Sequence, residues 1–304
     1  MCTKTGAGFW REAACRPFVG TRSGVVAKHS KFHFPRRRIG LLAFFLLIVL
    51  TTVFCTISPG LAASYSTVAL TIRGRMQSLM VYDPPPGGPK RPFQVIVTSG
   101  DIGWVGLPVD LAEHSRKLGF RTIGFNARAY LSSFTGKSEH LEQSEIPGDY
   151  QALVDWARSD PEYPRDVVII GVSEGAGLAV LGMARQSPLR GCKGVIALGM
   201  PVRTSLGWHW TDFPMWITKK DPREPQAETK AYLHELRVPL VMIHSTRDEW
   251  DSIESARDLY NIHPGPKRFI SIDAVNHRFS DKIPEVMSQV ERSFEWLQNP
   301  VPEL

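Results

Sequence analysis

A serine between two glycines is the group in this sequence best suited to covalent chemistry. Residues 171–175 read G-x-S-x-G, with Ser173 at the centre. The run of valine and isoleucine at 167–170 predicts a buried strand before this pattern, and 178–185 is compatible with a helix after it. A strand, G-x-S-x-G and a helix in that order are typical of a nucleophile elbow, which exposes the serine hydroxyl above a sheet. The pattern therefore predicts that Ser173 is a nucleophile, with an ordinary glycine-serine turn as the alternative.

An activated serine needs a histidine base, and the base needs an acid that fixes its tautomer. Two predicted strands downstream of Ser173, at 238–244 and 268–272, are followed by loops that carry such groups. Asp248 follows the first of these strands and His277 follows the second. The chain order Ser, Asp, His is that of the α/β-hydrolases. We therefore expect a catalytic triad of Ser173, Asp248 and His277.

The acid of this triad has two competitors on the same loop, Glu249 and Asp251. Asp248 is the earliest carboxylate after the strand, where the turn can still aim it toward the histidine. Asp251 directly precedes a predicted helix that begins at Ser252, and aspartate is a favoured helix cap. These positions favour Asp248 as the acid and Asp251 as a cap.

The base also has two competitors, His244 and His263. A single histidine on a loop is more often a surface residue than a catalytic one. Of the three, His277 is the one that lies between the last predicted strand and the last predicted helix, where the α/β-hydrolase order requires the base. This position favours His277.

An acyl-transfer intermediate also needs two N–H donors for its oxyanion, each worth about 3 kcal/mol. We expect one from the backbone of Glu174, directly after the nucleophile, and one from Asp101, with Ile102 as the alternative. The loop that holds Asp101 follows a predicted strand at 93–98 and contains two glycines, which let the backbone turn closely. The side chain of Glu174 is either a solvated acid or a counter-charge for a cationic substrate group.

The cysteines and histidines do not form the spacing of a metal site or a disulfide framework. Cys2, Cys15 and Cys55 precede residue 60, and Cys192 alone lies in the part predicted to be globular. No C-x-x-C or H-E-x-x-H spacing occurs in the sequence. We predict no cofactor, no structural metal and no disulfide within the globular part.

The elements that must position these groups alternate between strands and helices. Strands are predicted at 66–73, 78–83, 93–98, 121–125, 167–170, 193–198, 238–244 and 268–272, and helices at 107–118, 149–159, 178–185, 252–260 and 283–297. This alternation predicts an α/β fold with a mainly parallel twisted sheet and helices on both faces. The expected domain is 64–304, in which 129–148 carries turn and polar residues and 200–237 is irregular and a possible lid.

The N-terminal part of the chain predicts a membrane anchor. Residues 1–38 are polar and basic and end in three arginines, and 39–57 form a stretch of 19 residues without a charge. This length is close to the ~20 residues that span a bilayer as a helix, and the flanking arginines favour a cytoplasmic 1–38. We therefore expect one transmembrane signal anchor at 39–57, or, as the alternative, cleavage at 61–63. In a bacterium, the anchor places the domain on the periplasmic side of the inner membrane.

The net charge of +6 does not indicate a nucleic-acid partner. Residues 1–58 contain nine of the 36 basic residues and one of the 30 acidic residues, a balance of +8, which leaves −2 for 59–304. A nucleic-acid-binding domain carries its basic residues on the folded body. We therefore predict no nucleic-acid partner.

Residues 99–104 read S-G-D-I-G-W, and together with the G-x-S-x-G pattern they resemble the VirJ/AcvB-type bacterial virulence proteins of the α/β-hydrolase superfamily. The similarity spans about residues 90–298. It implies export to the bacterial envelope, an association with type IV secretion, and hydrolysis of the lysyl ester of lysyl-phosphatidylglycerol. It also implies that Ser173, Asp248 and His277 are the triad.

Two positions depart from the pattern of that family, which commonly has glycine in place of Ile102 and a neutral residue in place of Glu174. A further segment, 276–279, reads N-H-R-F and is similar to general esterases and to members that resemble dienelactone hydrolase. Both departures lie where the mouth of the site is expected.

Together these features predict a membrane-anchored, extracytoplasmic serine hydrolase that cleaves an ester through an acyl-enzyme. The preferred substrate is a lipid-linked aminoacyl ester, and components of an envelope secretion system are candidate partners. The aromatic residues at 208–216 either cover an apolar pocket or contact the membrane interface. The alternatives are a non-catalytic envelope or secretion accessory protein on the same fold, and a serine peptidase.

Overall fold

The computed structural model describes residues 64–136, 139–184, 191–210 and 224–301. The chain divides into residues 1–60 and 61–304, and every described residue belongs to the second unit. The segments predicted to be cytoplasmic, 1–38, and membrane-spanning, 39–57, lie outside the described residues. Within the described ranges, no helix is both long and apolar enough to cross a bilayer.

Eight strands form the main sheet, and two more form a small separate sheet. The strands are β1 (Ser66–Ile72), β2 (Arg75–Tyr82), β3 (Gln94–Thr98), β4 (Thr122–Phe125), β5 (Val167–Val172), β6 (Cys192–Leu198), β7 (Arg203–Ser205), β8 (Gln226–Glu228), β9 (Leu240–Ser245) and β10 (Lys267–Ile272). The main sheet has the order β1-β2-β4-β3-β5-β6-β9-β10. β1 and β2 form an antiparallel hairpin, β2 is also antiparallel to β4, and the remaining neighbours are parallel. The prediction of a mainly parallel sheet is confirmed.

Helices cover both faces of this sheet, as predicted. Those in the described part are α1 (Leu107–Lys117), α2 (Ala127–Phe134), α3 (Ile146–Arg158), α4 (Glu174–Met183), α5 (Lys230–Leu233), α6 (Ile253–Ile262) and α7 (Ile283–Gln298). The buried side chains of α1 and α7 belong to the apolar core on one face, and those of α2 to α6 belong to the core on the other face.

The central strands are apolar along almost their whole length because both of their faces are covered. All five residues of β3 and the first five of β5 are buried. β1, at one edge of the sheet, is largely exposed until its last residue, Ile72. The continuous valine and isoleucine run that predicted β5 is therefore the pattern of a strand inside a parallel sheet.

One helix, α2, lies where the sequence predicted only turn and polar residues. Asn126 precedes it, and the side-chain oxygen of Asn126 accepts a hydrogen bond from the backbone N–H of Ala129 at 3.1 Å. The helix is amphipathic and buries Tyr130 and Leu131. An asparagine cap before an amphipathic run is a usable helix signal, which was outweighed by the serines and glycines that follow.

The segment 200–237 is more regular than predicted. β7 and β8 pair as an antiparallel two-stranded sheet, and α5 follows directly. The possible lid also includes residues 211–223, which lie outside the described residues. Its role as a lid stays a prediction.

Candidate active site

Ser173 lies at the turn between β5 and α4, in a backbone conformation that residues with a side chain rarely adopt. Its φ is 53° and its ψ is −122°. The turn also needs close backbone approaches: a Cβ on Gly171 would collide with the backbone of α4, and a Cβ on Gly175 would collide with the Ser99 carbonyl after β3. The two glycines of the G-x-S-x-G pattern are therefore sterically required.

Three side chains from three loops form a continuous hydrogen-bonded chain. His277 Nε2 lies 2.8 Å from Ser173 Oγ, and His277 Nδ1 lies 2.6 Å from Asp248 Oδ2. The loops follow β5, β9 and β10, and the carboxyl ends of parallel strands meet at one edge of a sheet. The structure thus brings together the three residues predicted as the triad.

The side chain of Asp248 is fully buried and is held by the backbone of its own loop. Its Oδ1 accepts hydrogen bonds from the backbone N–H groups of Trp250, at 2.9 Å, and of Asp251, at 3.2 Å. Burial alone would raise the pKa of Asp248, but the hydrogen bond from His277 and the charge of its ring lower the pKa below the ordinary value. An ionised Asp248 can therefore hold the Nδ1 proton of His277.

Glu249, one competing acid, contacts the same histidine at a different place. Its Oε2 accepts a hydrogen bond from the backbone N–H of His277 at 2.8 Å. Two consecutive acids of one loop thus bind one residue, Asp248 at the ring and Glu249 at the main chain. Glu249 fixes the position of the loop that carries His277.

Asp251, the other competing acid, is not the cap of α6. The cap is Ser252, whose hydroxyl accepts a hydrogen bond from the N–H of Ser255 at 3.2 Å. The prediction that Asp251 caps this helix is therefore wrong. Its Oδ2 instead accepts a hydrogen bond from the backbone N–H of Val202 at 3.3 Å, which ties the acid loop to the segment before β7.

Of the three candidate histidines, His277 is the one hydrogen-bonded to Ser173 in the described part of the chain. His244 is buried at the end of β9, and its Nε2 lies 2.9 Å from the backbone carbonyl of Asp251. His263 is buried just beyond the end of α6, where burial lowers its pKa. His244 therefore supports the acid loop, and His263 belongs to the core.

The loop after β3 passes directly beside the nucleophile. A Cβ on Gly100 would lie 3.2 Å from Ser173 Cβ, and Asp101 is the next residue. The backbone N–H of Glu174 belongs to the first residue of α4, where a helix N–H has no acceptor one turn earlier. Burial raises the pKa of the Asp101 carboxyl, and the charge of His277 opposes this effect. Of the two predicted donor positions, Glu174 therefore follows Ser173 directly, and Asp101 follows the glycine that lies beside Ser173.

The carboxyl of Glu174 contacts β7. Its Oε1 accepts a hydrogen bond from the backbone N–H of Ser205, which is 31 residues away in the chain. Burial raises the pKa of Glu174 to about 8, with a further contribution from the carboxyl of Asp101. The reading of this side chain as a freely solvated acid is therefore wrong. No local pattern could have indicated a contact with a strand that the sequence did not predict.

Gly199, directly after β6, is a residue of the site that was not predicted from the sequence. Its φ is 55°, and a Cβ at this position would lie 2.7 Å from His277 Cε1. A side chain here would therefore displace the imidazole as well as strain the backbone. A glycine that ends a predicted parallel strand, on the same edge as the nucleophile, was the available signal.

No group of three or more histidine, cysteine, aspartate or glutamate side chains within the described ranges is arranged to hold a metal ion. Cys192 is a free thiol at the start of β6, and burial raises its pKa to about 12. A thiol in this state is not a nucleophile at neutral pH.

No protein-family model matches this sequence, and no curated protein is significantly similar to it in sequence. Solved structures are similar in fold. The esterase Pf2001 of Pyrococcus furiosus is 21% identical with a TM-score of 0.59, over 77% of this chain and 91% of the esterase. A dienelactone hydrolase of Anabaena variabilis is 15% identical with a TM-score of 0.54, over 78% of this chain and 98% of the hydrolase. Est1E of Butyrivibrio proteoclasticus is 13% identical with a TM-score of 0.53, over 76% and 98%.

These similarities extend over nearly the whole length of each solved structure. At such low identity they establish the architecture alone, and the narrower resemblance to the VirJ/AcvB-type proteins stays a prediction. The strand order, the elbow after β5 and the loops after β9 and β10 agree with that architecture. The domain therefore has the α/β-hydrolase fold.

Proposed function

We propose that this protein is a serine hydrolase that cleaves a carboxylic ester. The observation that carries the proposal is the hydrogen-bonded chain from Ser173 through His277 to Asp248, at a strained elbow. A hydroxyl 2.8 Å from an imidazole whose other nitrogen is held by a buried acid is the arrangement that activates serine. The names of the similar structures, which include esterases and a dienelactone hydrolase, support an ester as the substrate.

In the first half of the reaction, Ser173 Oγ attacks the ester carbonyl while His277 Nε2 accepts the hydroxyl proton. Asp248 holds Nδ1–H, so the imidazolium that forms is stabilised and correctly oriented. The negative charge on the former carbonyl oxygen is received by the backbone N–H groups of Asp101 and Glu174. Collapse of the tetrahedral intermediate expels the alcohol, which takes the proton from His277 and leaves an acyl group on the serine.

In the second half, water replaces the alcohol. His277 removes a proton from this water as it attacks the acyl-enzyme, and the same two N–H groups receive the second oxyanion. Ser173 then leaves with the proton from His277, and the acid product is released. Proton transfer by a positioned histidine contributes about 10²–10⁴-fold to such a rate.

We further propose that the substrate is an aminoacyl ester of a phospholipid, and that the domain acts outside the cytoplasm. The uncharged segment 39–57 ends close to the start of the described domain, so an anchor there would hold the site near the bilayer. In this proposal the carboxyl of Asp101, which directly follows the glycine beside Ser173, is the acidic group that binds the amino group of such an ester.

The test of the hydrolase proposal is covalent labelling of the full-length chain, purified in a mild detergent, with a fluorophosphonate probe. We expect the wild-type chain and a Ser78→Ala control on β2 to be labelled, and Ser173→Ala to remain unlabelled. Ser78 is exposed on the outer hairpin, so the control has the same substitution away from the site. Folded wild-type protein without label would contradict the proposal and favour the non-catalytic secretion accessory protein.

The substrate proposal is tested with protein that has not been treated with the probe, in vesicles that contain lysyl-phosphatidylglycerol. We expect release of free lysine by the wild-type chain and none by Ser173→Ala. Turnover of short soluble esters but not of this lipid would contradict the lipid substrate while leaving the hydrolase intact. Faster cleavage of matched amides than of esters would establish a peptidase instead.

A further inference from the structure

Two carboxyl groups next to the triad hold the same short segment, 202–205. Glu174, directly after the nucleophile, accepts a hydrogen bond from the backbone N–H of Ser205. Asp251, on the loop of Asp248, accepts one from the backbone N–H of Val202. The residue after the nucleophile is therefore tied to β7, which lies outside the main sheet, and the acid loop is tied to the residue directly before β7.

β7 is also packed tightly against the helix that begins at the nucleophile. A Cβ on Gly177, one turn into α4, would overlap the side chain of Thr204. Thr204 and Thr229 are both buried, and their hydroxyl groups lie 3.1 Å apart. This close contact leaves β7 little freedom to shift relative to the elbow, so the bond from Ser205 to Glu174 has a fixed geometry.

The backbone and the side chain of Glu174 thus have separate partners. Its backbone N–H is an oxyanion donor in the proposed reaction, and its carboxyl is fastened to β7. The orientation of the peptide group between Ser173 and Glu174 is therefore set partly by a strand of the 200–237 segment. A negative charge on this side chain would also oppose the oxyanion that forms beside it.

We propose that Glu174 is a positioning residue, whose carboxyl group binds β7 and so orients the backbone N–H of Glu174 toward the oxyanion. The inference rests on the proposed function, because the oxyanion belongs to that reaction. It gives the acid Glu174 a role at a position where a neutral residue would fit the turn equally well.

The groups that face this carboxyl favour its neutral form. Burial is the largest of the effects that raise the pKa of Glu174 to about 8. The like charges of Asp101, from the β3–α1 loop, and of Asp251, from the β9–α6 loop, add to it. The pKa of Asp101 is in turn affected by the charges of His277 and Arg278. The pKa of Asp251 is affected by the charges of His244, Asp248 and His277. Hydrogen bonds from the backbone N–H and from the side chain of Ser205 lower the pKa of Glu174, but they do not overcome burial.

The sign of the pH effect on stability follows from this raised pKa. Its ordinary value is 4.5, so the folded chain keeps a proton that the unfolded chain loses between about pH 4.5 and pH 8. The contribution to stability is full below that range and is lost as pH rises through it. Glu174→Gln stays neutral at every pH and keeps an oxygen that can accept from Ser205.

The first measurement is therefore the melting temperature of the full-length chain in detergent across this range. We expect the melting temperature of Glu174→Gln minus that of the wild type to increase from about pH 5 to about pH 8 and then to level off. Glu228→Gln, the same substitution at an exposed position of β8, is expected to give a constant difference. If the melting-temperature difference for Glu174→Gln were also constant with pH, the inference that this carboxyl is neutral would be overturned.

The second measurement is the rate of fluorophosphonate labelling against pH. We expect the wild-type rate to fall above about pH 8 as Glu174 ionises, and the Glu174→Gln rate not to fall there. Glu174→Ala, which cannot bind Ser205, should label roughly ten-fold or more slowly than Glu174→Gln at neutral pH. Equal rates for the glutamine and alanine variants would overturn the positioning role.

The two measurements also separate this inference from the proposed function. Absence of label on the folded wild-type chain at every pH would overturn the hydrolase proposal and the oxyanion role together. The thermal comparison needs no activity, so it would still decide whether Glu174 is neutral and bound to β7.

Discussion

At the residue scale, the hydrogen bond between Asp248 and His277 decides which ring nitrogen faces the serine. A buried carboxylate with a lowered pKa accepts Nδ1–H, which leaves Nε2 with a lone pair directed at Ser173 Oγ. The same tautomer is required for proton transfer in the proposed reaction. The acid therefore acts through the geometry and charge of the histidine and not through contact with substrate.

This geometry predicts the effect of Asp248→Asn. The amide can direct its N–H toward Nδ1 and hold the wrong tautomer, so we expect kcat on a model ester to fall by about 10⁴-fold. Glu249→Gln, which alters the contact with the His277 main chain, should cost less than about ten-fold. The reverse ranking of these two variants would show that Glu249 is the acid.

The three residues of the hydrogen-bonded triad and their order could be predicted from the sequence, because each follows a recognisable buried strand. The side-chain partner of Glu174 could not, since Ser205 lies on a strand of three residues with no periodic signal. The partner of Asp251 was misjudged for a related reason. Helix capping is a local rule, and it was outweighed by a hydrogen bond from Val202, which is 49 residues away.

At the element scale, the strand-turn-helix unit of β5 and α4 concentrates both strain and close packing at one point. Ser173 has a positive φ, and the backbone after β3 leaves no room for a Cβ on Gly175. A strained turn persists when its surroundings leave no alternative. The largely buried strand β5 and helix α4 supply these surroundings.

Gly175→Ala should therefore disturb both stability and reactivity. The new methyl group would meet main-chain atoms of Thr98 and Ser99, which cannot rotate away, and we expect a loss of about 3 kcal/mol in the free energy of unfolding. Gly148→Ala is the matched control, because a Cβ there has open space inside α3.

Urea unfolding and the fluorophosphonate labelling rate together check this prediction. The control should gain roughly 0.5–1 kcal/mol from the higher helix propensity of alanine and keep its labelling rate. A Gly175→Ala variant with unchanged stability and labelling would contradict the steric account of the elbow.

The elements that the sequence predicted best are those with long, uniform patterns. β5 and α7 were found within a few residues because their apolar spacing is continuous. α2 and the β7–β8 pair were missed because turn-forming residues obscure the first and the strands of the second are too short for alternation to register. Short elements of this kind are fixed by the tertiary contacts around them.

At the scale of the whole molecule, the outer hairpin is joined to the helical layer by a buried charge. Asp149 in α3 accepts two hydrogen bonds from the guanidinium of Arg73, both at 2.8 Å, and one from the hydroxyl of Tyr130 in α2 at 2.6 Å. Arg73 lies in the β1–β2 turn and also packs over the ring of Phe134. One carboxylate thus links a sheet edge to two helices.

Asp149→Asn should destabilise the whole domain, because it leaves a partly buried guanidinium without its main counter-charge. We expect a loss of about 2–3 kcal/mol in the free energy of unfolding, at the lower end for a buried pair because Arg73 is one-third exposed and also pairs with Glu145. Tyr130→Phe removes a single hydrogen bond and should cost about 1 kcal/mol. Chemical denaturation measures the loss of stability of both variants. Equal losses would contradict the conclusion that the charge of Asp149 contributes more than its hydrogen bond from Tyr130.

The arrangement of the sheet has a further consequence for when this protein can become active. Ser173 and His277 are 104 residues apart in the chain, and the histidine follows β10, the strand added at the far edge of the sheet. A chain made from its N-terminus completes the elbow long before it contains its base. In the proposed reaction the growing chain is therefore inactive, and it becomes active when the last strand pairs with β9 and places His277 beside Ser173.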